Sequence, residues 1–123
     1  MKAILMVFLG GGLGSALRFI ISRALNKSAL DIPFGTFTVN IVGSLLLGLI
    51  LGISLRTGSL SNNTMLFLST GFCGGFTTFS TFTFENQVFL RTGDYTNFAL
   101  YTFGSILAGF SAIFIGLYLS KLG

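Results

Sequence analysis

The sequence predicts an all-α membrane protein: a single domain over residues 1–123, built of four transmembrane helices with a break in the third. Composition is the first reason. Hydrophobic residues make up 52% of the chain and charged residues 8%, whereas a soluble domain carries roughly 25% charge. The second reason is the division of the chain into uncharged runs at 3–17, 32–55, 57–84 and 95–120, set against the about 20 apolar residues that a spanning helix needs. The third lies inside the third run. Gly71-Phe72-Cys73-Gly74-Gly75-Phe76-Thr77-Thr78-Phe79-Ser80-Thr81-Phe82 concentrates glycines and hydroxyl side chains that weaken a helix. Non-helical backbone at membrane depth survives only when it is buried in protein or lines a polar cavity, and broken membrane helices are where ions bind.

The first helix is expected at roughly 3–23. Its apolar run reaches spanning length if Arg18 lies near one end and snorkels toward Ser22. Lys2 before an apolar stretch imitates a signal peptide, but no small-x-small cleavage site precedes Arg18, which favours a retained helix. The second helix, roughly 33–55, carries Thr36, Asn40, Ser44 and Gly48 at every fourth position, one stripe on one face. The third spans roughly 63–90, contains the break, and ends its uncharged stretch at Glu85. The fourth, roughly 96–120, repeats the pattern with Tyr101, Ser105 and Gly109.

Several functions are excluded. With no histidine and one cysteine, the chain offers neither a transition-metal site nor an internal disulfide. Cys73 reads as a small packing residue, since no histidine activates it. The net charge of +4 comes from cations scattered over loops and helix ends, which make no patch for nucleic acid. No general-base constellation marks an enzyme.

Cations on the two faces set membrane orientation. Lys2, Arg56 and Lys121 fall on one side, and Arg23, Lys27 and Arg91 on the other, joined there by Arg18 if it is counted. So even a balance points to insertion in both orientations and pairing of opposite copies; a single topology decided by one borderline charge is the plainer alternative. Four short helices hardly enclose a pore alone, so self-association is expected. Small residues spaced by four, Gly10 and Gly14, Ser44, Gly48 and Gly52, Gly71 and Gly75, permit close helix approach between subunits or within one.

The intramembrane polar residues are uncharged, and each polar side chain among them can donate a hydrogen bond. An anion crossing hydrocarbon needs such donors to replace its water. Thr77, Thr78, Ser80 and Thr81 crowd the break, where each hydroxyl either faces a path or bonds back to a carbonyl one turn earlier. The carboxamide of Asn40, deep in an uncharged span, must find a partner. Phe79 and Phe82, three apart, share a side of a helical turn, and their electropositive ring edges complement a small anion. Arg18 either draws anions into a vestibule or snorkels to headgroups. Glu85 reads as a paired or interfacial carboxylate rather than a proton shuttle.

Gly10-Gly11-Gly12-Leu13-Gly14 through Arg18, Gly35-Thr36-Phe37-Thr38-Val39-Asn40 with Gly43, the run Gly71 through Phe82, and the Tyr101–Ser105 spacing together resemble the small fluoride channels of the Fluc family, also called CrcB proteins. The resemblance covers nearly the whole chain. It implies an antiparallel, dual-topology homodimer in the cell membrane, with two pores each built from both subunits. Fluoride would leave the cytoplasm passively, having been trapped there after entry as the neutral acid. It also implies that Asn40, Phe79 and Phe82 are pore residues, with Ser80, Thr81, Tyr101 and Ser105 along a polar track. Main-chain carbonyls of Gly74 and Thr77 would hold a structural sodium ion that is not transported. Carbonyls freed at a helix break suit a hard cation on general grounds as well.

Two rivals remain at this level. A small multidrug exporter has similar length and helix number, but needs an ionisable carboxylate deep in the membrane, where the first helix carries Arg18 instead. A non-conducting assembly subunit explains the small-residue stripes but not the ordered hydroxyls.

Overall fold

The computed structural model describes residues 1–28 and 30–123. Its described residues form helices and connecting turns, without strands. Helix α1 (Lys2–Leu25) is followed by α2 (Phe34–Thr57). A short α3 (Asn62–Met65) widens into a π-helical stretch, Leu66–Cys73, and tightens again as α4 (Gly74–Phe76). The chain then leaves helical geometry at Thr77 (φ −88°, ψ 160°) and resumes as α5 (Ser80–Thr92) and α6 (Tyr95–Leu119).

Local chemistry accounts for the ends. Gly58 (φ 62°) and Gly93 (φ 79°) close α2 and α5 in the left-handed region that glycine enters without steric cost. Ser61 caps α3 by accepting the Thr64 N–H at 3.1 Å, and Asp94 caps α6 by accepting the Asn97 N–H at 3.2 Å. Arg23, Arg56 and Arg91 sit in the last turns of α1, α2 and α5, where the helix dipole favours a cation.

Three helices, α1, α2 and α6, are long and apolar enough to cross a membrane. Their 24, 24 and 25 residues extend over about 36 Å at 1.5 Å per residue, against about 30 Å of hydrocarbon. Each is apolar nearly all round. Phe8 and Leu107, for example, are each 73% exposed, the opposite of a water-soluble surface and the pattern of a helix solvated by lipid. The segments on either side of the Thr77 interruption are each shorter than a span.

The helices pack as two pairs. α1 lies against the 62–76 segment, and α2 against α6. Glycines set both distances. A Cβ on Gly10 would collide with the Phe67 carbonyl, one on Gly14 with the Phe72 carbonyl, and one on Gly75 with the Gly11 carbonyl. In the other pair Gly48 abuts the Ile113 carbonyl, Gly116 the Leu45 carbonyl, and Gly52 the Ser120 hydroxyl. The glycines of the small-residue stripes are therefore occupied within one chain, mostly against backbone, while Ser44 lines the groove described below. The glycines of the 71–75 run also lie inside helical backbone. The interruption comes after them, at Thr77–Phe79; Gly71 and Gly75 serve close approach to α1, while Gly74 faces the groove.

Candidate functional site

The interruption is held by one side chain. Asn40, in the second turn of α2, donates from Nδ2 to the Thr78 carbonyl at 3.2 Å, and its Oδ1 accepts the Thr78 N–H at 2.8 Å. Both polar groups of a residue that has left the helix ladder are thus satisfied by one carboxamide, which carries both a donor and an acceptor. Thr78 Oγ1 in turn accepts the Thr81 N–H at 3.2 Å, at the start of α5. Thr77 takes the local option: its hydroxyl donates back to the Cys73 carbonyl at 2.9 Å. Cys73 itself is buried and free.

On the other side of the same segment, Arg18 Nε donates to the Gly75 carbonyl at 2.9 Å, with Ser15 Oγ on the same oxygen at 3.4 Å. Arg18 thus ties α1 to α4. By contrast, the Gly74 and Thr77 carbonyls accept no hydrogen bond from the described residues.

An open groove of about 390 Å³ runs along the interruption, lined by Asn40, Ser44, Gly74, Thr77, Thr78, Phe79, Phe82 and Ser105 among others. None of its lining residues is charged. The Ser105 hydroxyl is buried and, among the described residues, without a hydrogen-bond partner. The rings of Phe79 and Phe82 lie 6.0 Å apart at 39°. Phe79 is 76% exposed, so one side of the groove lacks a wall.

A second cavity of about 320 Å³ lies by the α1–α2 connection, lined by Asn26, Lys27, Asp31, Thr81, Glu85 and Phe89 among others. Between the two stand Phe82 and Tyr101, ring centroids 5.1 Å apart. Tyr101, almost fully buried, donates to Glu85 Oε1 at 2.7 Å, and Thr36 donates to Oε2 at 2.7 Å.

The residues expected from the sequence thus fall into groups. Asn40, Phe79, Phe82, Ser105, Gly74 and Thr77 share the groove; Thr81 borders the second cavity, with Tyr101 between them. Ser80 is exposed at the start of α5, and Arg18 lies outside both linings. Sequence reasoning paired Glu85 with nothing in particular, because its partners lie 49 and 16 positions away. It passed over Asn26 entirely. The one available signal was an asparagine directly after α1, a residue type that often serves helix ends.

The model for the family described as "CrcB-like protein, Camphor Resistance (CrcB)" matches residues 5–117. A protein of Gloeothece citriformis named "Fluoride-specific ion channel FluC" is 45% identical over 124 residues, covering 100% of both chains. Proteins of the same name from Chlorobium chlorochromatii (45% identical, covering 93% of this chain and 88% of that one) and Bacteroides fragilis (45% identical, 98% of each) are similar to it as well. With a family model matching residues 5–117 and relatives 45% identical over nearly their full length, the chain belongs to the CrcB family.

Proposed function

We propose that this chain forms a passive, fluoride-selective channel of the cell membrane and that it is not an enzyme. The observation that carries this reading is the uncharged groove along the Thr77–Phe79 interruption, with hydroxyl donors and aromatic edges and no fixed charge. A fixed cation would trap an anion. Neutral donors instead replace part of its hydration shell without holding it, which conduction requires. Fluoride is small and holds water tightly, so only close donors compensate it, and chloride gains less from the same spacing. The Ser105 hydroxyl, buried without a partner among the described residues, is a donor for such an ion. The rings of Phe79 and Phe82 add electropositive edges. The names carried by the relatives point the same way.

In this reading the 62–76 segment and α5 together make the third of four crossings, interrupted at mid-membrane. The missing groove wall, with Phe79 projecting from it, supports a pore completed by a second, oppositely oriented copy. A structural sodium ion fits the break: the Gly74 and Thr77 carbonyls, which accept no hydrogen bond from the described residues, are hard oxygen donors of the kind such a cation takes. When bound, it would neutralise carbonyl dipoles that hydrocarbon leaves unpaired, and would not itself be carried. Asn40 holds Thr78 in place beside those carbonyls.

Efflux from liposomes containing the purified protein tests the reading. Fluoride leaves rapidly down its gradient and chloride does not. Equal rates for the two ions would defeat it.

A further inference from the structure

We propose that Asn26 is a positioning residue for the Glu85 carboxylate, acting through Thr36. Its consequence for ion flow rests on the channel reading above.

Asn26 follows α1, where its backbone N–H closes the helix on the Ser22 carbonyl at 2.9 Å. Its side chain turns to a different helix. Oδ1 accepts the Gly35 N–H at 2.7 Å and the Thr36 N–H at 3.3 Å, in the first turn of α2. Pro33, at the N-cap position before α2, supplies no side-chain cap, so Asn26 performs that function from outside. The close approach requires Gly35, since a Cβ there would press on Ser22 Cα at 2.7 Å and Asn26 Oδ1 at 2.8 Å.

Capping uses only Oδ1. The other half of the carboxamide is directed elsewhere: Nδ2 donates to Thr36 Oγ1 at 3.2 Å. Thr36 is fully buried, and its own hydroxyl donates to Glu85 Oε2 at 2.7 Å. A hydroxyl that accepts from an N–H on one side presents its proton on the other, and donors in series strengthen one another in a low-dielectric setting. With Tyr101 on Oε1, both carboxylate oxygens are held against α2 and α6. Glu85 borders the second cavity together with Lys27 and Asp31. Without the Asn26 donor, Thr36 is free to turn toward another acceptor. The half-released carboxylate then swings into that cavity, where its charge opposes anion entry.

Asn26→Asp separates capping from positioning. It keeps an acceptor for the two N–H groups and replaces the donor to Thr36 with a second acceptor. The full-length protein is reconstituted as wild type, Asn26→Asp, Thr36→Val and the double variant. Two readouts are taken: fluoride efflux and the infrared carboxylate band of isotope-labelled glutamate. Glu85 is the sole glutamate in the chain, so that band is unambiguous. Asn26→Asp is expected to lower efflux about tenfold, on the scale of one hydrogen bond to a charged group, and to shift the band. In the Thr36→Val background it changes neither readout further. Wild-type efflux and an unmoved band in Asn26→Asp overturn the proposal, as does an undiminished effect without the Thr36 hydroxyl. Loss of folded protein in both Asn26→Asp and Asn26→Ser would make the residue a helix cap only, and overturns it too. Absence of fluoride efflux from the wild type would overturn the channel reading instead, while the glutamate band still decides the positioning role.

Discussion

Replacing Asn40 with alanine isolates what holds the interruption open. The substitution removes the acceptor of the Thr78 N–H at 2.8 Å and the donor to the Thr78 carbonyl at 3.2 Å. Between α4 and α5 the helix ladder offers neither group a replacement. If both were left dry the cost would be ~1–3 kcal/mol each, ~2–6 kcal/mol together. The groove is open, so water offsets part of that and ~2–4 kcal/mol is the working figure. At about 1.4 kcal/mol per decade, the clasped conformation loses roughly 30- to 1,000-fold in population relative to released ones. Hydrogen exchange at the Thr78 amide reads this directly and should accelerate by a similar factor, while fluoride efflux falls by about tenfold or more. Asn40→Asp keeps the acceptor, so exchange is expected to rise less. Efflux should fall at least as far, because a carboxylate then faces the groove. Wild-type protection of Thr78 in Asn40→Ala would refute the clasp, and wild-type efflux would refute its place in conduction.

Phe79→Ile and Phe82→Ile keep apolar bulk but remove the ring edges, so each is expected to cut fluoride efflux while the protein still assembles; unchanged efflux in both would reduce the rings to packing. Replacing sodium throughout by a large organic cation should abolish fluoride flux if the Gly74 and Thr77 carbonyls hold sodium, with Thr77→Ser tolerated because the contact is main-chain; undiminished flux rules the ion out. Gly48→Leu should cost several kcal/mol of helix-pair stability, read as lost monodisperse protein in detergent, because the side chain has to displace the Ile113 backbone; a stable Gly48→Leu protein would show that the α2–α6 spacing is soft. Single-cysteine probes in each loop, with Cys73 replaced, should label partly from each side of the membrane if both orientations coexist. Labelling from one side alone rejects dual topology.

Composition and the spacing of charge determined the class of this protein. Three apolar helices of spanning length follow from runs that carry almost no charge, because the cost of exposing charge or bare backbone to hydrocarbon is local and is paid within each segment. The position of the interruption was only partly legible. The glycines of the 71–75 run marked the right region, but tertiary packing turned Gly71 and Gly75 toward α1, and the chain departs from the helix only where a distant asparagine accepts the freed backbone. Pairings such as Thr36 with Glu85 or Asn26 with Gly35 were invisible in sequence. A residue's polarity shows that it needs a partner. Which partner it finds depends on how two helix pairs, each packed closely through glycine, bring separate stretches of chain within about 3 Å of one another.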